Sequence, residues 1–225
     1  MEDTVSDRVA VPWNRTLLLL RLELVQAKQT GTANERKILD VGCGIRKFPG
    51  SIGIDFNSAS AADVICDLDR FPYPFADRTF DGLRAIHVIE HVTDVVRTME
   101  EFHRLVRPGG VIRIETPHYT DYSSFCDPTH KHHLNSFSFR YFGANDGGFG
   151  YYTEAKFREI SVYVKLLSFW RWLGFELLVN RFTRFRKFWE FYLCYVVRGK
   201  AMEFEFEPLG PPVQNRRPSA LPSAR

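Results

Sequence analysis

Three short apolar runs in the first third of the chain each carry a carboxylate at or next to their C-terminal end. Asp40 sits inside Lys37-Ile-Leu-Asp-Val41, Asp55 ends Ser51-Ile-Gly-Ile-Asp55, and Asp67 ends Asp63-Val-Ile-Cys-Asp67. The first run leads into Gly42-Cys43-Gly44, where glycine lets backbone amides approach a ligand closely and tolerates positive φ. A carboxylate at a strand end can accept both hydroxyls of a ribose, the reading for Asp55, while Asp67 could accept from an adenine amino group. The spacing is not GxGxxG, so the dinucleotide fingerprint is incomplete. Neighbouring carboxylates also disfavour a pyrophosphate. An adenosine ligand without phosphates suits this set, and a positively charged one suits it better.

A second group is rich in histidine. His87, His91, His118, His130, His132 and His133 are the candidates for a base, because imidazole titrates near neutral pH. His118, Asp127 and His130 fall in a long polar stretch, 118–138, expected to act as a substrate lid. In it, His130 and Lys131 could orient an acidic or hydroxylated acceptor. A metal held by His130, His132 and His133 with Asp127 is the weaker reading, since i, i+2 spacing suits a site only where the backbone is extended. No metal is expected.

These groups need a scaffold. The short runs read as buried strands, joined by Asp81–Val88 as a fourth and Val111–Thr116 as a fifth. Between the last two, Thr93–Val106 has helical periodicity and stops at Arg107-Pro-Gly-Gly110. Alternation of this kind predicts an α/β fold with a parallel sheet. Tyr163–Phe169 reads as a sixth strand, Arg181–Val197 as a helix, and Met202–Glu207 as an alternating, half-exposed strand. Residues 13–28 read as an amphipathic N-terminal helix, and 208–225 as a tail with nothing to bury.

The sequence resembles the class I S-adenosylmethionine-dependent methyltransferases, specifically the type 11 methyltransferase-domain family. Six blocks carry the resemblance: Ile-Leu-Asp-Val-Gly-Cys-Gly (38–44), Ile-Gly-Ile-Asp (52–55), Asp-Val-Ile-Cys-Asp-Leu (63–68), Phe-Pro-Tyr-Pro-Phe-Ala-Asp-Arg-Thr-Phe-Asp (71–81), His-Val-Ile-Glu-His (87–91) and Leu-Val-Arg-Pro-Gly-Gly (105–110). It implies a Rossmann-like sheet of seven strands, the last antiparallel, with helices on both faces, in one domain over 1–207. It implies S-adenosylmethionine as cofactor, with Asp40, Gly42 and Gly44 around the methionine part and Asp55 at the ribose. Asp67 and the Leu68 backbone would hold the adenine and His87 would lie beside the sulfur, with Cys43 and Phe56 completing the cofactor set. Asp40 and Asp55 are 15 positions apart (55 − 40) and Asp55 and Asp67 are 12 apart (67 − 55), too close for full crossover helices. The first two crossovers are therefore expected to be single turns or coil, leaving a flank that a partner subunit could cover in an oligomer.

Composition narrows the setting. The 225 residues are 44% hydrophobic and 25% charged, which excludes global disorder. The net charge of +3 is too small to imply nucleic acid, and no RNA-binding module is visible. Residues 151–225 hold 13 Lys/Arg against 7 Asp/Glu, so the basic charge gathers in an aromatic-rich C-terminal third, 151–207 and beyond. Arg181–Trp189 reads first as a helix packing its aromatics on the sheet, second as a weak contact with an anionic membrane. Four scattered cysteines argue against a disulfide framework, and the acidic Met-Glu-Asp start differs from a signal peptide, so a cytoplasmic protein is expected. The function expected is methyl transfer to a small-molecule, glycan or lipid-intermediate acceptor, at oxygen. The alternative is a non-catalytic S-adenosylmethionine-binding sensor or partner-assembly module.

Overall fold

The computed structural model describes residues 36–143 and 153–211. The expected helix over 13–28 lies outside them, as does the chain from 212 on. In β1 (Ile38–Val41), Leu39, Asp40 and Val41 are all buried, so the strand is covered on both faces, as its unbroken apolar pattern requires. Beside it run β2 (Ile52–Asp55), β3 (Val64–Ile65), β4 (Phe80–Ile86) and β5 (Val106–Pro117), all parallel. β6 (Lys156–Leu166) and β7 (Gly199–Leu209) complete a seven-stranded sheet of order β3-β2-β1-β4-β5-β7-β6. β7 is antiparallel to both its neighbours. This is the sheet that the resemblance implies. Among the described residues no helix joins β1 to β2 or β2 to β3, as the short spacings predict.

The long helix of the parallel half is α1 (Val95–Leu105), capped where the Asp94 side chain accepts from the Arg97 amide. Met99, Phe102 and Leu105 are fully buried on its inner face. It passes straight into β5, so the expected break at Arg107-Pro-Gly-Gly110 lies inside the strand, as an irregularity in the pairing with β4 between Phe80 and Gly82. Gly110 is required there, since a Cβ would stand 2.7 Å from the Asp81 carbonyl oxygen. Arg104, on the same helix, fastens the helix-free link from β3 to β4. Its guanidinium donates to both oxygens of Glu101, to Asp77, and to the Tyr73 and Phe75 carbonyls, while Glu101 also accepts the Tyr73 amide.

In the C-terminal half several elements differ from expectation. β6 begins seven residues early (163 − 156) because its outward positions, Arg158, Glu159 and Ile160, are exposed and break the apolar pattern. The helix expected over Arg181–Val197 is α4 (Phe175–Arg181), α5 (Thr183–Phe188) and a π-helical turn over Trp189–Leu193, preceded by α3 (Ser168–Trp172). The break falls at Phe182, whose backbone is extended. β7 alternates as expected, Met202, Phe204 and Phe206 inward, but it also takes Pro208 and Leu209 from the expected tail into the sheet. On its other face Glu203 pairs with Arg113 and Lys165 across both neighbouring strands.

Among the described residues the outer edge of β6 carries an isolated bridge from Gly143 to Phe157, and further along side chains take the place of a neighbouring strand. Asn180 of α4 donates to the Val164 carbonyl and accepts its amide at 2.9 and 2.7 Å. Glu176 accepts the Leu166 amide, and Arg186 donates to the Val162 carbonyl. The π turn is held from inside by Glu190, which faces His118 at 3.3 Å and accepts from the Ser136 amide and hydroxyl at 2.8 and 2.6 Å. Burial pushes the Glu190 carboxyl up, but His118 and the Ser136 donors together hold it below its ordinary value of 4.5.

Two outcomes follow for stability. Arg104→Ala leaves the Glu101 carboxylate buried without its cation and should cost about 3–5 kcal/mol in urea unfolding. A group whose folded pKa is depressed stabilises above its unfolded pKa and loses that contribution as pH falls through the folded one. The urea midpoint of the native chain should therefore drop as pH falls below 4.5. Glu190→Gln should be less stable at neutral pH by about 1–3 kcal/mol and should show a flatter acid limb.

Candidate active site

The loops at the C-terminal ends of β1 to β5 carry the predicted groups. At the end of β1 the chain turns through Gly42 and Gly44, with φ of +60° and +54°. Gly42 is required by contact as well, since a Cβ would meet Val88 Cγ2 at 2.4 Å. Beside Gly44 the Cβ direction is open, with nothing within 4 Å. Asp55, at the end of β2, ties the turn down: its two oxygens accept the Gly44 and Asn57 amides, each at 2.9 Å. Each oxygen keeps a second lone pair for a hydroxyl donor.

Asp40 is buried. It accepts the Phe48 amide at 2.7 Å and lies 3.5 Å from the Arg84 guanidinium, which in turn stacks on the Phe48 ring. It thus fixes the far limb of the glycine turn. Cys43 packs its sulfur against Gly53 of β2, where a Cβ would come within 2.8 Å. Burial, with Asp40 and Asp55 close by, pushes its thiol up, which disfavours the reactive thiolate. Phe56 is 72% exposed beyond β2, a flat apolar face open to a ring. Asp67 is exposed after β3, accepts the Asp69 amide and pairs with Arg70, and the Leu68 carbonyl next to it accepts from the Tyr73 hydroxyl.

His87 follows β4 with φ of +55°, its ring exposed and its Nδ1 3.2 Å from Glu90 Oε1. That hydrogen bond raises the imidazole pKa against partial burial. Glu90 itself is 1% exposed, and its second oxygen has no hydrogen-bond partner among the described residues. Its backbone carbonyl accepts the Lys131 and His132 amides at 2.8 and 3.1 Å. The expected lid over 118–138 is therefore docked as a shelf on residues 90–93, strengthened by His132 on the Val92 carbonyl and by Lys131 on Asp69 and Thr93. It contains one short helix, α2 (Ser123–Cys126).

Within the shelf, His130 and Asp127 stand together, Nε2 3.9 Å from Oδ2. Hydrogen bonds from Thr129 hold the Asp127 carboxyl below the usual range. His118 is not with them. It has no exposed surface and packs between Gly199, the Trp189 ring and Glu190 at the root of the shelf. The reading of the sequence passed over Glu90, Asp69 and Thr93. Glu90 lies inside the quoted His-Val-Ile-Glu-His block; its importance comes from partners some 40 positions along, which no local pattern signals.

A turn with an open face at Gly44, a ribose-ready carboxylate at Asp55, an exposed ring at Phe56 and an acidic rim at Asp67 fit an adenosine-bearing cation. A family model described as "Methyltransferase domain" (type 23) matches residues 14–161. Over 145 residues the chain is 28% identical to cycloartenol-C-24-methyltransferase 1 of Oryza sativa subsp. japonica, covering 53% of this chain and 42% of that protein. It is 30% identical over 107 residues to the demethylmenaquinone methyltransferase of Chlorobaculum parvum, covering 40% and 44%. The chain thus spans about half the length of the curated relatives it matches. In fold it is similar to a SAM-dependent methyltransferase of Archaeoglobus fulgidus, with a TM-score of 0.53 at 18% identity over 86% of this chain and 94% of that one. The chain belongs to the methyltransferase-domain family, of the S-adenosylmethionine-dependent class.

Proposed function

We propose that this domain transfers a methyl group from S-adenosylmethionine to an oxygen of a lipophilic small molecule that it meets at an anionic membrane surface. When bound, S-adenosylmethionine supplies an electrophilic methyl group on a sulfonium. The chain must hold the nucleoside, orient the acceptor and receive its proton. Asp55 and the Gly42–Gly44 turn serve the first task, with Phe56, Asp67 and Leu68 at the nucleoside and His87 toward the sulfur. The His130–Asp127 corner of the shelf serves the second.

The observation that carries the acceptor class is the outer surface of α3 to α5 and the π turn. Phe169, Trp172, Leu177, Phe191, Tyr192 and Tyr195 are each more than half exposed there. The expected packing of aromatics on the sheet holds for buried Trp189 and not for Phe182 or Phe188. Charge is sorted in the same way. Glu176 and Glu190 point inward and are buried, whereas Arg171, Arg181, Arg184 and Lys187 are exposed. Aromatic side chains among exposed cations suit the headgroup region of an anionic bilayer, where each cation contributes about 1 kcal/mol. No helix among the described residues is long and apolar enough to span a membrane, so this is surface contact. The names of two relatives, cycloartenol and demethylmenaquinone methyltransferases, lie in the same lipophilic class.

Two measurements test this. Gly44→Ala, at φ +54° with open space beside it, should cost only about 1–2 kcal/mol of stability yet weaken S-adenosylmethionine binding more than tenfold in calorimetry. Unchanged affinity would remove the cradle. The full chain should co-sediment with phosphatidylserine-containing vesicles and not with purely phosphatidylcholine ones. Salt, or Trp172→Ala with Phe191→Ala, should release it, and methyl transfer to hydroxylated lipophiles should be faster on the anionic vesicles. Equal partition to both vesicle types would overturn the membrane reading.

A further inference from the structure

We propose that Glu90, His91 and His130 form a binding site for one divalent transition-metal ion of the zinc type. The site rests on side-chain geometry alone and does not depend on the acceptor proposed above. One ligand atom from each residue lies within 4.8 Å of the others. The two imidazoles meet edge to face, with centroids 4.6 Å apart, although they are 39 positions apart in sequence (130 − 91). The hydrogen bonds that the Lys131 and His132 amides donate to the Glu90 carbonyl hold the two segments together before any ligand arrives.

The hydrogen-bond network assigns the tautomers. His130 Nδ1 faces the Ser124 carbonyl at 3.1 Å, and a carbonyl only accepts, so Nδ1 carries the hydrogen and Nε2 a lone pair. His91 Nδ1 faces the Thr129 carbonyl at 3.3 Å and the Thr129 hydroxyl at 2.9 Å. That hydroxyl already donates to Asp127 Oδ1 at 2.7 Å, so it accepts from His91, whose Nε2 is again the bare nitrogen. Fixing a ring by an Nδ1–H bond to a carbonyl or hydroxyl is how proteins present imidazole to a metal. The third group is the Glu90 carboxylate, on a side chain that is 1% exposed; Oε1 faces His87 Nδ1, and Oε2 has no hydrogen-bond partner among the described residues.

Two nitrogen lone pairs and a carboxylate oxygen are three acceptors with no donor among them. In a partly desolvated pocket that arrangement is costly unless a cation completes it. Two imidazoles and one carboxylate are the donor set of open, three-ligand zinc sites, which leave a further position for water or an acceptor oxygen. Metal–nitrogen bonds of about 2.1 Å require the ligand atoms to close to roughly 3.5 Å. Asp127, 3.9 Å from His130 Nε2, stands at the rim. In the methyl-transfer reading, an ion here would orient the acceptor through the corner already assigned to His130.

The experiment uses the full chain stripped of metal with a chelator and titrated with cobalt(II), then with zinc. We expect one cobalt per chain, a four-coordinate visible spectrum, and displacement by one equivalent of zinc. Glu90→Gln and His91→Ala should each weaken binding at least tenfold, while His133→Ala should not. Zinc should also raise the melting temperature of the native chain and not that of His91→Ala. If either variant is unfolded by circular dichroism, the native chain decides: zinc should shift the Nε2 resonances of two histidines only. No stoichiometric binding, or binding that survives both substitutions, would overturn the site. Calorimetry with S-adenosylmethionine on the metal-free chain reports separately on the cofactor cradle, so the two readings cannot fail together unnoticed.

Discussion

The Asp55 carboxylate is the constraint on which the C-terminal edge of β1 and β2 depends. A glycine turn at positive φ has several usable shapes, and an isolated one would sample them. Bonds from the Gly44 and Asn57 amides to one side chain hold the β1 turn and the β2 exit to a common rigid point. Because β1 and β2 pair in parallel, that point lies at the C-terminal edge of the sheet, where ligands of such folds bind. Asp40 does the same work on the other limb through Phe48 and Arg84. The acids of this edge therefore hold the protein's own backbone in place at the cleft proposed for the cofactor.

Much of this was legible because it is local. β1, β2 and β4 are short apolar runs whose ends are marked by acids or glycines, and α1 shows the 3.6 period with a capping Asp94. The C-terminal half was read less well because its elements are set by partners far away in sequence. β6 looks polar at its start because that part is an edge with one open face, and pairing with β7, some 40 to 50 positions away, makes it a strand. The π turn exists where Glu190 reaches His118 and Ser136, contacts 72 and 54 positions apart. The same cause hid the role of Glu90. A histidine-rich stretch could be seen in the sequence, but not that it docks on residues 90–93 and brings two of the rings together.

Charge is distributed by direction more than by number. The basic excess of the C-terminal third is small, and counting residues alone would assign it little meaning. The fold turns Glu176 and Glu190 inward, where they cap β6 and fix the π turn, so the exposed face is left cationic and aromatic. Structural demand for buried carboxylates thus creates a surface property without any added lysine or arginine.

The way Asn180, Glu176 and Arg186 occupy the border of β6 also bears on the life of the protein at high concentration. A bare strand of eleven residues at a sheet margin would be a template for another copy's backbone. With Val162, Val164 and Leu166 already bonded to side chains, and β3 at the opposite margin only two residues long, those stretches offer little free backbone to a neighbour. Side chains of α4 and α5 thus guard the second half of β6 against edge-to-edge pairing beside a broad exposed aromatic patch.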